Sequence, residues 1–197
     1  RDSSVTGVQT CALPISANIS VELVSADGRY VPISLDNQNI TADRVLDLPF
    51  DVESKNSAFA LKISSDQPIA ASVYSRVIKS GKRDFVWSSA VNPGTEGTWA
   101  ITGLDPTLIL AGGAIKADIQ VLMPGGKKIG KRISASDIYA YKVPTGALGL
   151  SIRSISSDCA AAILVNSQSG TGYIPLNNGS VLTRSTVPTA NIGVLNP

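Results

Sequence analysis

Few residues in this chain have the type and spacing to do chemistry. Histidine is absent from all 197 positions. That removes the commonest general base, the commonest zinc ligand and every Ser-His or Cys-His pair. Cys159 sits where Ala161, Ile163 and Val165 follow at intervals of two, so all four share one strand face. With no base nearby to lower its pKa, it reads as a small core residue. Asp43, Asp47, Asp51 and Glu53 form an acidic group, but their spacing lacks the dense ligand loop of a dedicated calcium site. Gly125-Gly126-Lys127 and Ala111-Gly112-Gly113 do not continue into the Gly-Lys-Ser/Thr ending of a phosphate loop and read as turns. The sequence therefore nominates no catalytic residue, no metal ligand and no cofactor site.

Binding chemistry is better represented. Trp87 and Trp99 are the largest side chains, and Tyr74 lies on the polar face of an alternating run. Tyr74, Trp87 and Trp99 are the candidate ligand contacts, as a stacking platform for sugar rings. The competing reading makes each tryptophan a core plug or an edge closure. Residues 101–197 hold eight basic and four acidic side chains, against nine and eleven before them. Lys127, Lys128, Lys131 and Arg132 concentrate that charge on one predicted hairpin. They read first as lysines that keep a strand edge from pairing. An anionic wall polymer or phospholipid headgroup is the functional alternative. Nucleic acid is not expected, because no aromatics interleave with the basic residues. Asn18-Ile19-Ser20, Asn39-Ile40-Thr41 and Asn178-Gly179-Ser180 match the glycosylation triplet, which matters only in a secretory eukaryotic setting.

The elements that carry these residues are strands. Apolar and polar residues alternate in 18–24, 58–64, 69–77, 119–123, 148–152 and 161–165. Turn signals fall between the runs at Asp27-Gly28, Ser80-Gly81, Pro93-Gly94, Pro124-Gly125-Gly126 and Asn178-Gly179. The pattern predicts an all-β protein with antiparallel, half-buried sheets. Hydrophobic residues at 43% and charged ones at 16% are too apolar a balance for a disordered chain. The longest apolar run, Cys159–Val165, is far below the ~20 residues of a spanning helix, so no transmembrane helix is expected.

The strands repeat. Asn18–Val21 matches Asp118–Val121, Ala58–Ile63 matches Ala147–Ile152, Ile69–Val73 matches Cys159–Ile163, and Asp84–Trp87 finds an echo in Gly170–Tyr173. The order is kept at domain-sized spacing. We therefore expect two tandem immunoglobulin-like β-sandwich units, residues 17–97 and 98–197, the first lacking an opening strand equivalent to Thr107–Ala111. The N-terminal stretch stands apart. Val5 to Ser16 resembles the in-frame translation of a common short-read sequencing adaptor, without interruption. Residues 1–16 are accordingly expected to be an artefact of assembly that packs poorly, and the chain a fragment from environmental DNA.

Ile63-Ser64-Ser65-Asp66-Gln67-Pro68-Ile69-Ala70-Ala71-Ser72-Val73, followed by Asp84-Phe85-Val86-Trp87, resembles a secreted actinobacterial family of unknown function. The Trp99 strand followed by Leu108-Ile109-Leu110 is similar to that family's second unit. The chain departs from the pattern at Ala111-Gly112-Gly113, where Asn-Pro is expected. The resemblance implies export to the extracellular space or cell envelope and brings no catalytic residue. The expectation is a non-catalytic scaffold or adhesion module whose partner is a cell-wall polymer, a glycan or an envelope protein. A carbohydrate-binding module using exposed aromatics is the alternative, and a two-carboxylate glycosidase a third.

Overall fold

The computed structural model describes residues 5–12, 15–51, 58–79, 82–94, 96–101, 105–154, 156–166 and 170–176. Among these there is no α-helix, only strands, turns and two short 3-10 turns at Ile33–Leu35 and Pro124–Gly126. The all-β, sandwich-like reading holds.

The first unit contains β1 (Val5–Ala12), β2 (Ala17–Ser25), β3 (Gly28–Tyr30), β4 (Gln38–Ile40), β5 (Val45–Asp51), β6 (Phe59–Ser65), β7 (Ile69–Lys79) and β8 (Lys82–Ser89). One antiparallel sheet runs β5-β1-β7-β8; in the other, β2 pairs with β3 and β4 along one edge and with β6 along the other. Val8, Leu48 and Phe50 from the first sheet meet Ala17, Ile19, Val21, Leu23 and Ile40 from the second in one core. Two sheets burying alternate residues against each other is the sandwich arrangement.

The second unit contains β9 (Glu96–Ala100), β10 (Pro106–Leu122), β11 (Lys128–Lys142), β12 (Gly149–Ser154), β13 (Ala160–Asn166) and β14 (Thr171–Pro175). β10 is one long strand shared by two halves. Residues 106–111 pair with β13, and residues 117–122 pair with β12. β11 lines its other edge throughout. The change of partner comes at a β-bulge at Gly112–Ala114, the device that bends a strand. Leu108 and Leu110 before the bulge, and Ile115, Ile119 and Val121 after it, bury into a single core with Leu150, Ile152, Cys159 and Ile163. β9 pairs wholly with β12, so the strand containing positions 97 and 98 goes with the second unit.

Three ladder pairs of the two units correspond, one of them only after a shift of two residues, while the expected match of Phe59 with Leu148 fails, because Phe59 opens β6 and Leu148 stands outside a strand. Val8 opposite Val73 corresponds to Leu108 opposite Ile163. Tyr74 opposite Trp87 corresponds to Leu164 opposite Tyr173. Val21 opposite Ile63 corresponds to Ile119 opposite Ile152. The last pair moves the expected match of Val21 from Val121 to Ile119. A shift of two keeps every side chain on its own face, so alternation alone does not distinguish the registers. The first unit also breaks the counterpart of β11 into β3, β4 and β5.

The expectation that residues 1–16 pack poorly is not met for Val5–Ala12. This segment is β1, between β5 and β7, and it supplies the opening strand that the first unit was expected to lack. Val8 and Thr10 are buried. The reason is that ladder bonds are made by backbone. Any proline-free segment with small or β-branched residues at alternate positions completes a vacant slot, whatever the origin of its sequence.

Burial follows the alternation in the second unit and only weakly in the first, where Ser72, expected to face out, is as half-buried as its inward neighbours. Leu150, Ile152 and Ile163 are buried, Ile63, Ile69 and Val73 are half-buried against the first core, and Lys62 and Arg76 face out. Leu148 departs: it stands just before β12 and is 38% exposed.

Candidate functional site

The outer face of β7 and β8 carries the aromatic cluster. β7 alternates Ser72, Tyr74 and Arg76 outward, and β8 answers with Ser89, Trp87 and Phe85. Phe85 is 57% exposed and Trp87 47%, a large apolar area for solvent-facing residues. Direct cross-strand pairing brings the Tyr74 and Trp87 ring centroids to 4.9 Å with planes at 49°, and Tyr74 and Phe85 to 5.8 Å at 38°. The rings form an open trough rather than a coplanar shelf. Arg76 flanks it: its Nε–H donates to the Tyr74 hydroxyl at 3.2 Å, and its guanidinium carbon is 5.5 Å from that ring's centroid. Beyond Tyr74 the register places Gly7 of β1 and Pro49 of β5 in the same row. Gln9, whose side-chain amide donates to Asp47 at 3.0 Å, lies in the next row with Ser72 and Ser89.

Of the three candidate contacts, the structure brings Tyr74 and Trp87 together and leaves Trp99 elsewhere. Trp99 sits on β9 opposite Leu150 and packs on the second core. Its indole lies over Gly97, where a β-carbon would come within 3.0 Å of the ring. Trp99 thus closes an edge, whereas Trp87 does not plug a core. Phe85 and Arg76 are the site members that the sequence reading passed over. Their signal was present, since each stands two residues from a nominated aromatic on the same strand face.

Two of the four basic residues on the second unit's hairpin, Lys131 and Arg132, are engaged. Lys131 donates to the Tyr139 hydroxyl at 2.8 Å and lies over the rings of Tyr139 and Tyr141. The Tyr139 hydrogen bond raises its pKa. Arg132 pairs with Asp118 at 2.8 Å. The same row crosses four strands as Glu96, Arg153, Asp118 and Arg132, with alternating sign. A shallow depression there is lined by Gln120, Gly130 and Ser151 with Asp118, Arg132 and Arg153 of that row. Among the described residues β11 pairs only with β10, so lysines on it guard an edge strand.

Contacts between the units fix the back of the aromatic sheet. Asp84 accepts the Thr171 backbone N–H at 2.7 Å, and the Tyr173 hydroxyl donates to the Ser89 carbonyl at 3.0 Å. Burial raises the pKa of Tyr173. Arg29 of β3 bonds Asp137 of β11. Asp158 is held below the usual carboxylate range by the Gly113 N–H at 2.8 Å, then by that of Ala114, with Arg29 adding its charge.

Asp43 and Asp47 are exposed; the side chains of Asp51 and Glu53 lie outside the description. No group of three metal-ligating side chains occurs among the described residues. Nor is any helix among them long and apolar enough to cross a membrane. No protein-family model matches the chain, and no curated protein matches it.

Cys159 is 1% exposed within the second core. Its thiol should resist labelling in the native protein at neutral pH, because burial suppresses the thiolate. Cys159→Ala should cost on the order of 1 kcal/mol. Rapid labelling of folded protein by a thiol reagent would contradict this placement.

Proposed function

We propose that the chain is a non-catalytic, immunoglobulin-like β module of scaffold or adhesion type, secreted or held at the cell envelope, that binds through the outer face of β7 and β8. The observation that carries this reading is the pair of exposed aromatics Phe85 and Trp87 packed on half-buried Tyr74 on one sheet face. Rigid aromatics give contact area at low entropic cost, and contiguous exposed apolar surface marks binding sites. The reading requires no cofactor and no catalytic residue.

A carbohydrate ligand is the more specific form; it rests on the solvent-facing Trp87 and Phe85 beside Tyr74, whose rings are tilted and do not form the coplanar pair expected of a sugar platform. A sugar ring presents an apolar face for stacking and hydroxyls at its rim; Ser72, Ser89, Gln9 and Asp47 lie in the neighbouring row to receive them.

Retention on purified peptidoglycan, chitin and cellulose tests the proposal. Trp87→Ala should weaken retention about tenfold, the effect of losing an aromatic hot spot. Its cost in stability should stay within about 1 kcal/mol, because the side chain is half exposed. Equal retention of wild type and Trp87→Ala would overturn the assignment of the face.

A further inference from the structure

We infer that the ligand of the β7–β8 face is an acidic saccharide, with one sugar ring in the Tyr74–Trp87 trough and its carboxylate on Arg76. This rests on the carbohydrate reading above and adds the charge class.

Three observations carry it. Arg76 is exposed at the rim of the trough, opposite Phe85 in the ladder. Its bond to Tyr74 uses Nε–H, which leaves the two Nη groups, the paired donors that match a carboxylate. None of the ion pairs among the described residues involves Arg76. Second, stacking against Tyr74 and the Nε bond hold the guanidinium in place before a ligand arrives, so less side-chain entropy is lost on binding. Third, Asp84, the one acidic residue of β7 and β8, is turned to the Thr171 N–H of the second unit, so no carboxylate of these two strands competes for Arg76.

An anionic membrane would also meet aromatic and basic residues, but the geometry disfavours it. The rings lie along the middle of the strands, not at the turn. Trp87 stands five residues beyond Lys82, about 17 Å at ~3.3 Å per residue. A hairpin tip dipping into headgroups would leave Trp87 behind.

The test uses the full chain carrying Trp99→Phe, so that emission reports Trp87. It is titrated with tetramers of galacturonate and of mannuronate, with their neutral methyl esters, and with phosphatidylglycerol vesicles. The expected result is a saturable change with the acids, weakened by salt, and affinity about tenfold lower for the esters and for Arg76→Gln. Arg76→Lys should recover part of the loss, since it keeps the charge without the fork. Circular dichroism checks that each variant is folded. Esters binding as tightly as acids, or Arg76→Gln binding as tightly as Arg76, would overturn the charge class and leave the carbohydrate reading standing. A response to vesicles and none to either acid would overturn the inference in favour of lipid. No response to acid, ester or vesicle would overturn the carbohydrate reading with it.

Discussion

A chain lacking residues 1–16 is expected to lose the thermal transition of its first unit and keep that of its second. β1 is the middle of a sheet: seven of its residues face β5 and seven face β7. Its removal separates those strands and takes Val8 and Thr10, which are 1% and 0% exposed, off the inner face of the sheet. The loss should approach the whole ~5 kcal/mol or more by which a small domain is stable. Replacing residues 7–12 with the second unit's residues 107–112, which contain no proline, should restore the transition and raise it above the starting value. That swap puts leucines, as at 108 and 110, in place of Val8 and the buried hydroxyl of Thr10. Scanning calorimetry reads both results. An unchanged first transition after deletion would mean that β1 is a passenger, as its resemblance to an adaptor translation suggests.

Gly112→Val should damage the second unit most among single glycine changes. A β-carbon at Gly112 would stand 2.7 Å from the Asp158 carbonyl oxygen and 3.1 Å from the Cys159 α-carbon. Both are backbone atoms, which cannot swing aside as a side-chain tip can. The bulge lets β10 change partners here, so the approach cannot open without breaking a ladder. A cost of about 3 kcal/mol is expected, lowering that unit's Tm by on the order of 15 °C. Gly130→Ala is the control: no atom lies within 4 Å of its β-carbon position, and the change should stay within about 0.5 kcal/mol. Equal effects of the two would contradict the bulge account.

The strands and their inward faces were legible because alternation is a local signal. Leu150, Ile152 and Ile163 show it plainly. What escaped the sequence was set by placement. Phe85 and Trp87 alternate with Asp84, Val86 and Ser88, and the pattern shows that two faces exist without saying which meets the core. Here Asp84 is engaged by the second unit, so the aromatics take the solvent side. The register of β2 against the repeat was ambiguous by two for the reason that pleating has period two. Arg29 and Asp137 are 108 residues apart, and nothing local in either announces the other. The trough itself was half legible: Tyr74 and Trp87 were nominated with Trp99, but only strand pairing shows which two meet.

Binding is assigned above to the outer face of β7 and β8. Amide and indole chemical-shift mapping of the full chain, titrated with the galacturonate tetramer, locates the contact surface. Perturbations are expected at Tyr74, Arg76, Phe85 and the Trp87 indole, with Trp99 unmoved. Perturbations centred instead on Gln120, Arg132, Ser151 and Arg153, the depression of the second unit, would contradict that assignment.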